Sequence, residues 1–127
     1  MENRPSDYIK HGWCQLASAM TTHPQLPCDI QSPFVAAWCL NGAITLTKER
    51  GEISDDQAIE IKKWLVNWIR VKLGASLGAS LGGDYSYYGS GLILGHWNDM
   101  KGRTQKEVVA VLQQAEEAVL GPRVEGA

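Results

Sequence analysis

The stretch His96–Thr104 reads His-Trp-Asn-Asp-Met-Lys-Gly-Arg-Thr and leads into the most clearly marked helix of the chain. Thr104 is followed three residues later by Glu107, which is the capping-box pattern of a helix N-terminus. Apolar residues then recur at helical spacing and predict one buried stripe, made of Val108, Val111, Leu112, Ala115 and Val119. Gly121-Pro122 predicts the end of this helix. A polar cluster therefore precedes a helix N-terminus, where unpaired N–H groups and the helix dipole favour an anion.

A central helix is predicted upstream. Ser32-Pro33 suits the N-cap and first helical positions, and predicts a helix from Phe34 to about Lys48. This segment is apolar nearly all round, which is typical of a buried helix. Asn41-Gly42 interrupts it, and the glycine indicates the close approach of another backbone. Asn41 needs hydrogen-bond partners, either in a neighbouring loop or in a ligand.

Two further helices flank this one. Ser6 is predicted to cap a short first helix that ends at His11-Gly12, although a single helix running to Met20 is the alternative. A loop is expected over 21–31, where Pro24 and Pro27 lie. The capping box Ser54-Asp55-Asp56-Gln57 predicts a helix to about Leu73.

The segment 74–91 has an unusual composition. Leu-Gly-Ala-Ser occurs twice over 73–80, and a tyrosine-rich stretch, 84–91, follows. We expect a mobile loop over the repeat. The stretch 84–91 is either a short strand or loop that packs over the core, or a lid whose rings, Tyr88 among them, stack on a planar ligand. The predicted fold class is mainly α: a compact single-domain helical bundle, 1–127, with a Gly/Ser/Tyr-rich loop at 74–91 before the last helix.

Composition excludes several classes of protein. The 127 residues carry a net charge of −2, so the basic character of a nucleic-acid-binding protein is missing. No apolar run approaches the roughly 20 residues of a membrane helix, and the N-terminal residues lack a signal-peptide pattern, so a cytoplasmic location is expected. Cys14, Cys28 and Cys39 form no C-x-x-C pair, which favours buried free thiols. No metal or cofactor is predicted.

The polar cluster at 96–104 is the predicted binding site. Arg103 and the Thr104 hydroxyl, with the free N–H groups of the helix, suit a phosphate. Asn98 suits a base or ribose edge, and Trp97, Trp13 or a tyrosine suits stacking on a base. The structural alternative is that Asp99 accepts hydrogen bonds from backbone N–H groups and pairs with Arg103.

Three blocks carry a resemblance to a known family: His11–Gln15, Ala37–Ala43, and Trp97–Asp99 followed by Gly102–Thr104 and Glu107-Val108. With these blocks the chain resembles a set of small bacterial, largely actinobacterial, and bacteriophage proteins that share a domain of unknown function. The last block is the most specific. The short N-terminal helix and the segment 74–91 depart from the family pattern. The resemblance implies a compact helical fold and no established activity.

Three hypotheses on function follow. The first is non-catalytic binding of a small anionic, nucleotide-like ligand, which in a bacteriophage would sequester a second messenger of host immunity. The second is a protein-interaction module acting as a homodimer or higher oligomer, in which the surplus tryptophans form the contact. The third is a small hydrolase or transferase that uses the pair His11 and Cys14, or the pair His96 and Asp99.

Overall fold

The computed structural model describes residues 3–22, 24–74 and 89–123. Of the mobile loop predicted at 74–91, residues 75–88, Tyr88 among them, lie outside these residues, and positions 90 and 91 belong to a helix and not to the loop. The described residues form helices and a two-stranded antiparallel sheet around one hydrophobic core: α1 (Pro5–His11), β1 (Ala19–Met20), β2 (Ala37–Trp38), α2 (Leu40–Glu49), α3 (Asp55–Leu73), α4 (Ser90–Asp99) and α5 (Gln105–Leu120). The mainly helical fold class is confirmed, and none of the described helices is both long and apolar enough to span a membrane.

The two helices with capping boxes begin where the sequence predicts. The Ser54 side chain accepts a hydrogen bond from the Gln57 N–H at the start of α3, and Thr104 does the same for Glu107 at the start of α5. Gly74, with φ of +51°, ends α3. Local hydrogen bonds determine both N-termini, and for that reason the sequence pattern alone locates them.

The predicted helix over 34–48 is wrong in its first part. Residues 36–39 are extended because their backbone groups pair with distant residues. Trp38 N donates to Gly12 O, Cys39 N donates to Ser18 O, and Ala36 N donates to Met20 O. The helix therefore starts at Leu40, after an N-cap cysteine whose sulfur accepts a hydrogen bond from Gly42 N at 3.2 Å. Phe34, expected in the core, is 77% exposed.

Two glycines allow the backbones to approach this closely. A Cβ atom added at Gly12 would lie 1.9 Å from Ala36 O, and one added at Gly42 would lie 2.2 Å from Ser18 O. The close approach predicted at Gly42 is confirmed. The first helix ends at His11, which confirms the break at Gly12 over the longer alternative. A side chain at Gly12 would clash with the Ala36 carbonyl and one at Gly42 with the Ser18 carbonyl, so either would push two backbone segments apart.

The first helix packs along the last. The sequence predicted Ser6 as its N-cap, and this is wrong: the N-cap is Arg4, the helix begins at Pro5, and Ser6 is fully buried. The Ser6 N–H and hydroxyl both donate to the Glu116 carboxylate, at 2.7 and 2.6 Å. At the other end of α1, Gln105 Nε2 donates to Ile9 O at 2.7 Å. α5 thus satisfies polar groups at both ends of α1.

Glu116 predicts a pH-dependent stability. Burial raises the pKa of its carboxyl, although the hydrogen bonds from Ser6 lower it in part. The folded state therefore binds this proton more tightly than the unfolded chain. The contribution to stability is complete below the unfolded pKa of about 4.3 and is lost as the pH rises through the raised folded-state value. Glu116→Gln does not titrate and still bonds Ser6 twice, because its oxygen accepts from the Ser6 N–H and its amino group donates to the Ser6 hydroxyl. Urea denaturation from pH 4 to pH 8 should show wild type losing stability relative to Glu116→Gln, and a constant difference would contradict the assignment.

Candidate functional site

The Asn98 side chain joins three parts of the chain. Its Oδ1 accepts hydrogen bonds from Trp13 Nε1 at 2.8 Å and from Leu40 N at 3.1 Å. Its Nδ2 donates to Cys14 O at 3.1 Å and to Asp99 Oδ1 at 3.0 Å. A carboxamide offers two donors and two acceptor positions, and all are used here. Asn98 is fully buried, so it has no hydrogen-bonding capacity left for a ligand.

Hydrogen bonds to the C-terminal end of α4 also hold the residues that follow Trp13. Gln15 Nε2 donates to the carbonyl oxygens of Asn98 and Met100, at 2.9 and 3.2 Å. Leu16 N donates to Asp99 Oδ1 at 2.9 Å. Leu16 has a φ of +68° and is 82% exposed. A left-handed leucine is strained, and the hydrogen bond from its N–H to Asp99 helps to hold it there.

The Trp97 ring lies inside the protein. It is 2% exposed, and the Trp68 ring meets it edge-on at 5.8 Å between centroids. The Arg103 guanidinium covers it, with Cζ 3.9 Å from the ring centroid. A cation over an indole is stabilising, most of all when little water reaches it. Trp97 is therefore placed to pack against Trp68 and Arg103, and its ring is not free to stack on a base.

The expected phosphate position at the start of α5 is filled by a carboxylate of the chain itself. Arg103 does not pair with Asp99; its Nη1 donates to Glu107 Oε2 at 3.1 Å and its Nε to Trp97 O at 3.0 Å. The Thr104 N–H and hydroxyl donate to Glu107 Oε1, each at 3.1 Å. The hydrogen bond from the Thr104 side chain is the largest cause that lowers the pKa of the Glu107 carboxyl. The Glu107 carboxylate thus binds the Arg103 and Thr104 groups that the sequence predicted would bind a phosphate.

A cavity of about 220 Å³ adjoins the Asn98 network at Asp99. We call it the Asn41 cavity. The turn after Trp13 forms one wall, the first turn of α2 another, and α4 the third. Its lining is Leu16, Ala17, Ser18, Cys39, Asn41, Gly91, Gly95 and Asp99. Of the predicted site residues that the structure describes, only Asn41 and Asp99 line it.

Two polar residues of the cavity lining have an oxygen atom without a hydrogen bond. Asn41 Oδ1 is buried and has no partner among the residues that the structure describes. Asp99 Oδ1 accepts hydrogen bonds from Leu16 N and Asn98 Nδ2, whereas the other carboxylate oxygen makes no hydrogen bond with the described residues. Burial raises the pKa of the Cys39 thiol, so this residue stays uncharged at neutral pH. An unsatisfied buried oxygen costs free energy that a donor group of a ligand would recover.

The predicted catalytic pairs are not supported by the chemistry of their members. Burial raises the pKa of Cys14 to about 12. The thiol donates to Ala17 O at 3.6 Å and keeps its proton at neutral pH, whereas a nucleophilic cysteine needs its thiolate form. Asp99 holds the backbone of Leu16 and the Asn98 amide, and not His96.

Some lining residues carried a signal that sequence reasoning missed. Gly91 and Gly95 are four residues apart and so lie on one face of α4. A Cβ atom added at Gly95 meets no other atom within 4 Å, and one added at Gly91 meets only Asn41 Nδ2, at 3.8 Å. The small residues leave the floor of the cavity open. Leu16 and Ser18 gave no comparable signal, since the tertiary structure alone brings them to the site.

Asn98→Ala should be strongly destabilising. It leaves the Trp13 indole N–H, the Leu40 N–H and the Cys14 carbonyl without partners in a buried position, each at a cost of roughly 1–3 kcal/mol. We expect the free energy of unfolding to fall by about 3 kcal/mol or more in urea denaturation. The control is Asn67→Ala on the exposed side of α3, for which we expect a change within about 0.5 kcal/mol. Equal effects of the two substitutions would show that the Asn98 network contributes nothing.

Asn41→Leu should stabilise the free protein. It removes the buried oxygen without a partner and improves helix propensity. We expect a melting temperature a few degrees above wild type by calorimetry. Asn67→Leu makes the same exchange on an exposed helix face and controls for propensity. If both variants shift the melting temperature equally, the Asn41 oxygen is not under-satisfied in the folded protein.

Comparison with known proteins places the chain in a family. The chain belongs to DUF6197, a family of unknown function, whose model matches residues 6–118. This range covers the Asn98 network and every residue that lines the Asn41 cavity. No curated protein matches the chain, and no solved structure does.

Proposed function

We propose that this member of DUF6197 binds a small nucleotide-like ligand without converting it, and that one ring of the ligand enters the Asn41 cavity. The observation that carries the proposal is a cavity that Asn41 and Asp99 both line, beside an Asn41 Oδ1 that is buried with no hydrogen-bond partner among the described residues. A few polar groups in a small concave site are what fixes a ligand's orientation.

The size of the cavity limits what it can hold. Pockets that enclose a drug-sized molecule measure roughly 300–1,000 Å³. The Asn41 cavity, at about 220 Å³, suits a single ring system. The remainder of a nucleotide would extend past the turn at Leu16, whose exposed side chain offers apolar surface at the rim.

The proposal changes the roles of the residues predicted around Arg103. Five of the residues predicted to bind the ligand have structural roles instead, because their polar groups and rings contact one another and Glu107: Trp13, Trp97, Asn98, Arg103 and Thr104. Asn98 and Asp99 hold the turn that forms one wall of the cavity. Sequestration of a second messenger by a bacteriophage protein, which the resemblance suggested, stays a prediction.

A thermal-shift screen with mono-, di- and cyclic nucleotides and ADP-ribose derivatives tests the proposal. A ligand at 100 times its dissociation constant should stabilise the fold by about 2.7 kcal/mol, which corresponds to several degrees. Chromatography after incubation should return the ligand unchanged. Asn41→Leu and Gly95→Ala should each abolish the shift, while Arg103→Ala should lower the melting temperature of the free protein and leave the ligand-induced shift intact.

Three outcomes would contradict parts of this proposal. If Arg103→Ala is the only variant that loses the ligand-induced shift, the ligand binds at the start of α5 and not in the Asn41 cavity. A converted ligand would make the protein an enzyme. No shift with any compound would exclude the nucleotide proposal and favour the protein-interaction module, which light scattering would then examine.

A further inference from the structure

We infer that two copies of this chain form a symmetric dimer through the turn around Phe34, with the Phe34 ring of each copy in an apolar pocket of the other. We call the turn 29–35 and the pocket beside it the Phe34 surface. Its residues are not among those that line the Asn41 cavity, so the dimer goes beyond the proposed function.

Phe34 is an exposed ring on a closed turn. It is the one phenylalanine of the chain, and it is 77% exposed. Val35 N donates to Ser32 O at 3.1 Å and Phe34 N donates to Ser32 Oγ at 3.2 Å, so Phe34 lies at the tip of a hydrogen-bonded turn. An enclosed phenylalanine buries roughly 150–250 Å². A partner that covers this ring therefore gains a large apolar contact.

The same turn forms one wall of a pocket of about 300 Å³. Ser32 and Val35, the two ends of the turn, line it together with Trp38 and Leu46. The Trp38 indole N–H already donates to Ile30 O at 3.1 Å, so the ring needs no polar partner in the pocket. A cavity of about 150 Å³ with apolar walls is enough to hold benzene. The pocket therefore has room for one phenyl ring.

The Phe34 surface carries both halves of such a contact. In a two-fold symmetric dimer the same patch faces itself, so residue i of one copy contacts residue j of the other, and j contacts i. A protruding ring and a pocket for a ring, side by side on one surface, meet this requirement twice in one dimer. A partner of another kind would use only one of the two.

The charges of this surface are complementary in the same way. Arg50 lines the pocket, and its side chain is 55% exposed. Among the described residues its ion pair is a long one, 3.9 Å from Nε to Glu52 Oε1. Asp29 is exposed in the turn, where Oδ1 accepts a hydrogen bond from Gln31 N and the other oxygen has no hydrogen bond with the described residues.

Docking of the ring brings these opposite charges together. With Phe34 of one copy in the pocket of the other, Asp29 of the first copy approaches Arg50 of the second, and the two-fold axis repeats the contact. Glu49 and Glu52, which lie nearest to Arg50 in the chain, already accept hydrogen bonds from Gln31 and Tyr8. A standard interface uses about 20–30 residues a side, and the Phe34 surface has fewer, so we expect dissociation in the micromolar range.

Sedimentation velocity of the full chain, from about 1 to 500 µM, measures the dimer. Wild type should change from monomer to dimer over this range. Phe34→Ser should weaken dimerisation at least tenfold, because a central aromatic residue dominates an interface of this kind. The matched control is Val71→Ser, which removes an apolar side chain that is 74% exposed on α3 and should leave dimerisation unchanged.

A charge exchange tests the symmetry. Asp29→Arg and Arg50→Asp should each weaken dimerisation at least tenfold, because each places like charges together twice. An equal mixture of the two variants should restore the dimer to within threefold of wild type. In the mixed dimer the arginine introduced at position 29 faces the aspartate introduced at position 50, and the native pair remains at the second contact. Mixing does not repair a folding defect, so this rescue separates contact from stability.

Each outcome decides the question. Wild type that stays monomeric at every concentration overturns the inference and leaves the pocket to a different occupant. A dimer that Phe34→Ser leaves intact, or that Val71→Ser weakens equally, is formed by another surface and also overturns it. A dimer that needs Phe34 but shows no rescue on mixing overturns the symmetric contact of Asp29 with Arg50. Phe34→Ser should keep any ligand-induced thermal shift of wild type, so failure of the dimer leaves the proposed function standing.

Discussion

The side-chain amide of Asn98 is the interaction on which the rest of this structure depends. Its two ends bind the segment after α1, the first residue of α2 and the end of α4. These segments meet where no regular secondary structure satisfies their backbone groups, and buried polar groups left unpaired would each cost free energy. One carboxamide supplies both the donors and the acceptors that this junction needs. The turn at Leu16 and the first turn of α2, two walls of the Asn41 cavity, take their positions from it.

Local signals predicted the fold where local interactions decide it. The capping boxes at Ser54 and Thr104 are satisfied within four residues, so the starts of α3 and α5 followed from the sequence. Ser32-Pro33 carried an equally good helix signal, and there Ser32 accepts hydrogen bonds from Phe34 and Val35 in a turn that does not continue. The residues beyond that turn pair with Gly12, Ser18 and Met20. Such long-range pairing overrides propensity and leaves no local pattern from which to predict it.

The candidate site was predicted only in part. The block Trp97–Asp99 combines an aromatic ring, an amide and a carboxylate, which are residue types common to binding sites and to buried polar networks. Sequence composition does not separate the two, because burial depends on how the helices pack. Asn41 was better marked: a polar residue beside a glycine in an apolar segment suggested either a neighbouring backbone or a ligand. The structure places the backbone of Ser18 against Gly42, and among the described residues it gives the oxygen of Asn41 no hydrogen-bond partner.

The contact between α1 and α5 has a consequence for how the protein is made. Ser6 and Glu116 are separated by 110 positions, and Arg4 Nη1 donates to Gly121 O across 117. Translation adds residues from the N-terminus at about 5–20 per second, so α1 leaves the ribosome several seconds before its partner helix exists. A seven-residue helix is too short to be stable alone in water. The polar groups around Ser6 therefore stay hydrated until α5 has been synthesised, and the core is completed only after that.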